Sequence, residues 1–203
     1  MPARARTADT TRLLPGWSVS PGRPSVRPAV DERRLRELAR ELGRVARTRV
    51  RLYLTGGATA VLEGWRASTI DVDLRFEPDS DDLLRELPRL KERLGINIEL
   101  ASPPDFIPEL PGWRDRSPLV FREGNVDVHH FDFYSQALAK IERGFAQDLD
   151  DVRSMIADER VGVEELRRLF AGIEDQLFRY PAIDPAHFRQ QVEALEPSPD
   201  AER

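Results

Sequence analysis

Two aspartates one residue apart, Asp71 and Asp73, follow a glycine pair, Gly56-Gly57, after thirteen intervening residues, 58 to 70. In a strand, residues i and i+2 project from the same face, so the two carboxylates stand side by side. Neighbouring carboxylates repel unless a cation lies between them. A pair that brackets one or two Mg2+ (or Mn2+) ions is therefore the economical reading; such ions neutralise triphosphate charge and activate an attacking oxygen. Glycines placed where a strand gives way to a helix let backbone N–H groups approach a phosphate, and the helix start adds a favourable dipole. Gly-Gly alone is usually a turn, and Asp-x-Asp alone is often a solvated strand face. Their combination, with apolar residues flanking both acids, carries the chemical reading.

The elements that must position these groups follow from periodicity. Val50, Leu52 and Leu54 alternate with Arg51 and Tyr53, a strand that runs into Thr55-Gly56-Gly57. Ala58 to Glu63 reads as a short helix, and Ile70 to Phe76 as a second strand carrying the aspartates. Asp31 caps a helix over 32–47, with Leu35, Leu38, Leu42 and Val45 on one face, and 79–94 is an amphipathic helix ended by Gly95. Ile96 to Leu100 is a third strand. A proline-rich loop follows, then strands at Leu119–Arg122 and Val126–Phe133 about the Glu123-Gly124-Asn125 turn, and helices over 135–144, 148–157, 163–179 and 185–194. This order gives an α/β (α+β) fold: a mixed sheet flanked by helices with a C-terminal helical part. The expected division is an irregular basic arm over 1–29, an α/β core over 30–134, and a helical region over 135–203 that completes the site.

The pattern resembles the polymerase-beta-type nucleotidyltransferase superfamily: a glycine turn, a short helix, then Asp-x-Asp on a strand and a third carboxylate on a later one. Leu54-Thr55-Gly56-Gly57 and Asp71-Val72-Asp73-Leu74 match the first two motifs. Glu99, on the face of its strand with Asn97 and Ala101, is the candidate third metal carboxylate; an ordinary exposed strand residue is the alternative, and Asp127 is in reserve. Thr55-Gly56-Gly57-Ala58-Thr59-Ala60 with Arg66-Ala67-Ser68-Thr69-Ile70-Asp71 also looks like the AbiEii and MenT-type toxins. Those relatives carry a downstream Lys on one helix and an Asp on or near the next, which Lys140 and Asp148 match. The resemblance covers roughly residues 50–160. It implies that Asp71 and Asp73 hold metal, that Thr55, Gly56, Gly57 and Ser68 or Thr69 bind phosphate oxygens, that Lys140 contacts the triphosphate, and that Asp148 organises the site or acts as base. Arg66 is a further phosphate candidate, against a solvated-face reading. Attack at the α-phosphorus builds charge on the equatorial and leaving oxygens, so catalysis there is mainly positioning and electrostatics.

The resemblance further implies transfer of a nucleoside monophosphate from a nucleoside triphosphate such as ATP to RNA, at a tRNA 3′ end, by a cytoplasmic toxin paired with a protein antitoxin. Alternatives are transfer to a small molecule or protein hydroxyl, and a non-catalytic nucleotide-binding module. The formal net charge of −5 suits a cationic small acceptor. The five arginines of residues 1–29 (Arg4, Arg6, Arg12, Arg23, Arg27) argue the other way. Arg is otherwise the default cation, with Lys91 and Lys140 the only lysines. The absence of cysteine excludes disulfides and thiolate zinc sites. No apolar run approaches the ~20 residues of a membrane span, and no secretory signal is expected. His129 and His130, as strand neighbours, face opposite sides and cannot share a metal. Phe106, Pro108, Pro111 and Trp113 read as packing over the core, with a base-stacking lid as the alternative. Val163 to Tyr180, apolar at helical spacing, reads as core or as a partner surface.

Overall fold

The computed structural model describes residues 29–197. The sequence-predicted arm, residue 29 apart, lies outside the described residues. The chain runs α1 (Glu32–Val45), β1 (Val50–Thr55), α2 (Gly56–Leu62), β2 (Asp71–Glu77), α3 (Asp81–Leu94), β3 (Asn97–Leu100), β4 (Leu119–Glu123), β5 (Val126–His130), α4 (Phe133–Arg143), α5 (Ala146–Ala157), α6 (Val163–Ala171) and α7 (Pro185–Glu193). The five strands form one mixed sheet in the order β3-β2-β1-β5-β4. β1 pairs antiparallel with β2 and parallel with β5, so β1 lies at the centre, and the β2–β3 pair is parallel.

Alternation in the strands decides the two faces. In β2, Val72, Leu74 and Phe76 are buried while Asp71, Asp73, Arg75 and Glu77 are half-buried on the other side. The apolar face, with Leu52, Leu54, Leu74 and Val128, packs on Leu35, Leu38 and Leu42 of α1 and on Leu83 and Leu90 of α3. Asp31 caps α1 through the N–H of Arg34, at 2.9 Å. Gly95 ends α3 in the left-handed region at φ 60°, where an L side chain is disfavoured. The opposite, polar face carries a small aromatic cluster of Tyr53, Trp113 and Phe131. A second apolar cluster joins α4 to α7, through Leu138, Val152, Leu166, Phe170 and Phe188, with Ile107 and Leu110 of the proline-rich loop.

Several boundaries move from their sequence-predicted places. Asp132 ends β5 early: its carboxylate accepts the Ser135 N–H and hydroxyl at 3.3 and 2.8 Å, and this cap starts α4 at Phe133. The helix expected over 163–179 breaks after Ala171 at Gly172, and a 3-10 segment, Glu174–Arg179, follows. Among the described residues no helix is long and apolar enough to cross a membrane.

Candidate active site

The glycine turn, the Asp-x-Asp strand and helix α4 converge at the C-terminal end of β1. Thr55 lies opposite Asp73 in the β1–β2 ladder, and Asp73 and Asp71 lie opposite Glu99 and Asn97 in the parallel β2–β3 ladder. Asn97 Nδ2 donates to Asp71 Oδ1 at 2.6 Å and to Glu99 Oε1 at 3.2 Å, tying the three side chains together.

Both glycines are required by close approach. Gly56 sits at φ +60°, and a Cβ there would lie 2.9 Å from Asp73 Oδ2. A Cβ on Gly57 would stand 2.1 Å from the Thr69 hydroxyl oxygen, which itself donates to the Asp71 carbonyl at 3.0 Å. The amide of Gly56 is already taken: it donates to Gln136 Oε1 at 2.9 Å. Of the other amides in the first turn of α2, which a helix start leaves without intrahelical acceptors, that of Gly57 belongs to a residue lining a cleft.

Helix α4 presents Gln136, Lys140 and Arg143 at i, i+4 and i+7, one stripe facing the turn and the aspartates. Lys140 is buried, with Nζ 3.0 Å from Asp148 Oδ1 and 2.6 Å from Asp151 Oδ2. Arg143 holds Asp148 through two bonds of 2.8 Å, and Arg66 holds Asp151 through bonds of 2.8 and 2.5 Å. The result is an unbroken chain, Arg66–Asp151–Lys140–Asp148–Arg143, with three cations against two carboxylates. Burial tends to raise the Asp148 carboxyl, but Arg143 and Lys140 outweigh it and hold it below the usual range. Arg66 thus belongs to a mostly buried ion pair rather than a solvated face.

The acidic side is the reverse case. Burial, then the charges of Glu99 and Asp71, push the Asp73 carboxyl up to about 6, against the opposing pull of Arg143 and Lys140. Two clefts meet at Gly56, Asp73, Lys140 and Arg143. One extends toward Glu99, Ser102 and Phe106. The other extends toward Arg66, Ser68, Thr69 and Asp71. Apart from the reserve carboxylate Asp127, the residues assigned to the site from sequence line one cleft or the other: Thr55 and Glu99 the first, Gly57, Arg66, Ser68, Thr69, Asp71 and Asp148 the second, and Gly56, Asp73 and Lys140 both.

Comparison with known proteins gives the family. The chain belongs to a nucleotidyltransferase family. The matching family model spans residues 33–194 and is described as a nucleotidyltransferase of unknown function (DUF6036). No curated protein and no solved structure matches the chain.

Within this nucleotidyltransferase, some sequence candidates lie elsewhere. Asp127 is at the start of β5, opposite Arg51 and so at the far end of β1 from Gly56. There it pairs with Arg49 and Arg122, at 2.7 and 3.0 Å. His130 is buried against α2, with Nε2 2.8 Å from Glu63 Oε1, whereas His129 faces the other way, with Nδ1 3.0 Å from the Ser117 carbonyl oxygen. Trp113 is buried and stacks on Phe131 with centroids 4.2 Å apart, so it packs; Phe106, half-exposed at 48%, rims a cleft. Gln136, Arg143 and Asp151 carry no motif. Helical spacing from Lys140 is the signal that could have found the first two; Asp151 shows itself only through its partners.

Proposed function

We propose that this nucleotidyltransferase moves a nucleoside monophosphate from a nucleoside triphosphate to an RNA acceptor with the help of a divalent metal ion, in the manner of the AbiEii and MenT-type toxins it resembles. The observation that supports this most is the placement of Asp71 and Asp73 beside Gly56–Gly57 and across from Lys140 and Arg143. Carboxylates suited to metal and cations suited to phosphate then share one cleft wall.

The donor set fits Mg2+. Among the described residues no three His, Cys, Asp or Glu side chains gather to hold a metal by themselves. Mg2+ characteristically takes one or two carboxylates and completes its shell with substrate phosphates and water. Asp71 and Asp73 would supply the carboxylates, with Glu99 beside them. Mg2+ held there would neutralise triphosphate charge and polarise the phosphoryl group under attack. In this reading the Gly57 amide and the Ser68 hydroxyl bind phosphate oxygens, while Thr69, its hydroxyl on the Asp71 carbonyl and its N–H on the Val30 carbonyl, shapes the wall, and Arg143 and Lys140 draw the charge of the leaving pyrophosphate. Asp148, held ionised by two cations, orients them and is a weak base. Arg66 and Asp151 brace Lys140. The helices from Phe133 onward complete the site that the sheet begins. The proposal extends to a cytoplasmic toxin, tRNA as acceptor and a protein antitoxin as partner.

A second reading rests on Glu99 and Glu142, which line the Phe106 cleft: an acidic, partly apolar cleft also suits a small cationic acceptor. One experiment separates the two. Purified protein is incubated with each α-32P-labelled nucleoside triphosphate and Mg2+, with total RNA in one set and a mixture of aminoglycosides and polyamines in the other, beside an Asp71→Ala/Asp73→Ala variant. Label in tRNA-sized RNA with the wild type alone is expected. Label on an aminoglycoside or polyamine instead selects the second reading, and triphosphate binding without transfer to any acceptor overturns both.

A further inference from the structure

The sheet face that carries Asp71 and Asp73 has a second end. Four residues back along β1 from the Thr55–Asp73 pairing, Arg51 lies opposite Glu77 in the β1–β2 ladder and beside Asp127 on β5. Arg49, Arg51, Arg114 and Arg122 line one concave surface here with two carboxylates, Glu77 and Asp127. Each carboxylate is shared. Asp127 takes Arg49 Nε at 2.7 Å and Arg122 Nε at 3.0 Å; Glu77 takes Arg114 Nε at 2.7 Å and lies 3.9 Å from Arg51. Glu109, 3.5 Å from Arg114 and 3.9 Å from Arg75, adds a third carboxylate and a fifth cation at the rim; five cations against three anions leave two positive charges unmatched, and the four lining guanidiniums are 42–63% exposed.

These guanidiniums are held rather than swept through solvent. Arg49 makes two bonds to Asp127, and Arg114 lies over the Trp113 ring, 4.4 Å from its centroid. Planar guanidinium forks suit phosphate oxygens and retain their charge at any working pH. At ~3.3 Å per residue, Arg51 and Thr55 are about 13 Å apart. Tyr53 and Trp113 fill the interval, so the arginines form a subsite separate from the cleft of Asp73. A ligand with regularly repeated negative charges that spans this interval reaches both.

We propose that the Arg49–Arg51–Arg114–Arg122 cleft binds the phosphodiester backbone of a polynucleotide acceptor, the end of which is delivered to Asp71 and Asp73. The assignment rests on the reading of the site as an RNA-modifying nucleotidyltransferase. It also answers the net charge of −5: the surplus of positive charge is concentrated where the backbone lies.

The test uses the full chain and the double variant Arg51→Gln/Arg122→Gln, which leaves Arg49 on Asp127 and Arg114 on Glu77. Binding of a fluorescein-labelled 12-nucleotide RNA and of total tRNA is followed by anisotropy between 50 and 200 mM salt, with melting temperature and affinity for a fluorescent nucleoside triphosphate alongside. RNA affinity should fall roughly tenfold. The slope of log affinity against log salt should shrink by about 1.4, two contacts at ~0.7 each for a single strand. Melting temperature and triphosphate affinity should be unchanged. Arg51→Gln alone should give about half the slope change, and it serves if the double variant fails to fold. Unchanged RNA affinity and slope overturn the proposal, as does displacement of RNA by polyglutamate as effectively as by RNA of equal charge. RNA binding that depends on the arginines without any nucleotide transfer sinks the proposed reaction and leaves the cleft standing. Transfer to RNA with arginine-independent binding does the reverse.

Discussion

The side-chain amide of Gln136 bridges two strand ends: its Oε1 accepts the Gly56 N–H at 2.9 Å, eighty residues away in sequence, while its Nε2 donates to the Phe131 carbonyl at 2.7 Å. One buried side chain on α4 thus sets the pose of the glycine turn. Leaving both groups unpaired in a buried place costs about 1–3 kcal/mol apiece. Gln136→Leu should therefore lower the melting temperature and weaken nucleoside triphosphate binding together, whereas Gln136→Glu, which keeps the acceptor for Gly56, should recover part of the binding. Calorimetric titration with a non-hydrolysable triphosphate checks this; a normal affinity in Gln136→Leu would show that the turn holds its own shape.

Lys140 and Arg143 occupy the same stripe but should fail differently. Lys140 is enclosed by Asp148 and Asp151, so Lys140→Met removes the cation between two buried carboxylates, leaves Asp148 on Arg143 and Asp151 on Arg66 alone, and should destabilise by ~3 kcal/mol. Arg143 is about half exposed, and its removal leaves Lys140 on Asp148. Arg143→Ala should keep the fold within ~1 kcal/mol and lose triphosphate affinity. Denaturant unfolding and triphosphate titration of the two variants separate the effects; equal stability losses would refute the distinction.

The Asp73 carboxyl, raised from 3.8 to about 6, makes stability pH-dependent with a definite sign. The folded chain holds the proton more tightly than the unfolded chain, so this contribution is complete below about 3.8 and is lost as pH rises through about 6. At pH 7.5 the metal-free protein therefore carries an unfavourable charge. Asp73→Asn should raise its stability by about 1–2 kcal/mol, allowing for solvent screening on the open side. Added Mg2+ should raise the wild-type melting temperature more at pH 7.5 than at pH 5, and should do little to the variant. A Mg2+ effect of equal size in Asp73→Asn would remove Asp73 from the metal site.

His130 acts in the opposite sense. Burial holds its imidazole down at about 4, against the pull of Glu63. The unfolded chain binds the proton more readily, so the stability this neutral histidine contributes is present above about 6.5 and is lost as pH falls through about 4. Relative to His130→Gln, the wild type should lose up to about 3 kcal/mol between pH 7 and pH 4. Urea unfolding at both pH values measures the difference, and parallel pH profiles would exclude a buried neutral imidazole.

Local rules made the strand and helix order readable from sequence. The alternation of Val72, Leu74 and Phe76 with Asp71 and Asp73 names both the strand and its polar face, because side chains in a strand alternate whatever the partner. The glycine pair and the aspartates were legible for the same reason: their chemistry depends on spacing within one segment and the turn before it. Glu99 could be proposed, but only the parallel register of β2 and β3 sets it opposite Asp73 and leaves Asp127 at the far end of β1. The pairing of Lys140 with Asp151, the hold of Arg66 on that same carboxylate and the reach of Gln136 to Gly56 link residues on different elements. Such links depend on how helices dock, and no local period encodes that. Spacing along the chain shows which residue types could bind metal and phosphate; the docking of strands and helices sets which of them meet, because burial and register act across distances along the chain that spacing cannot span.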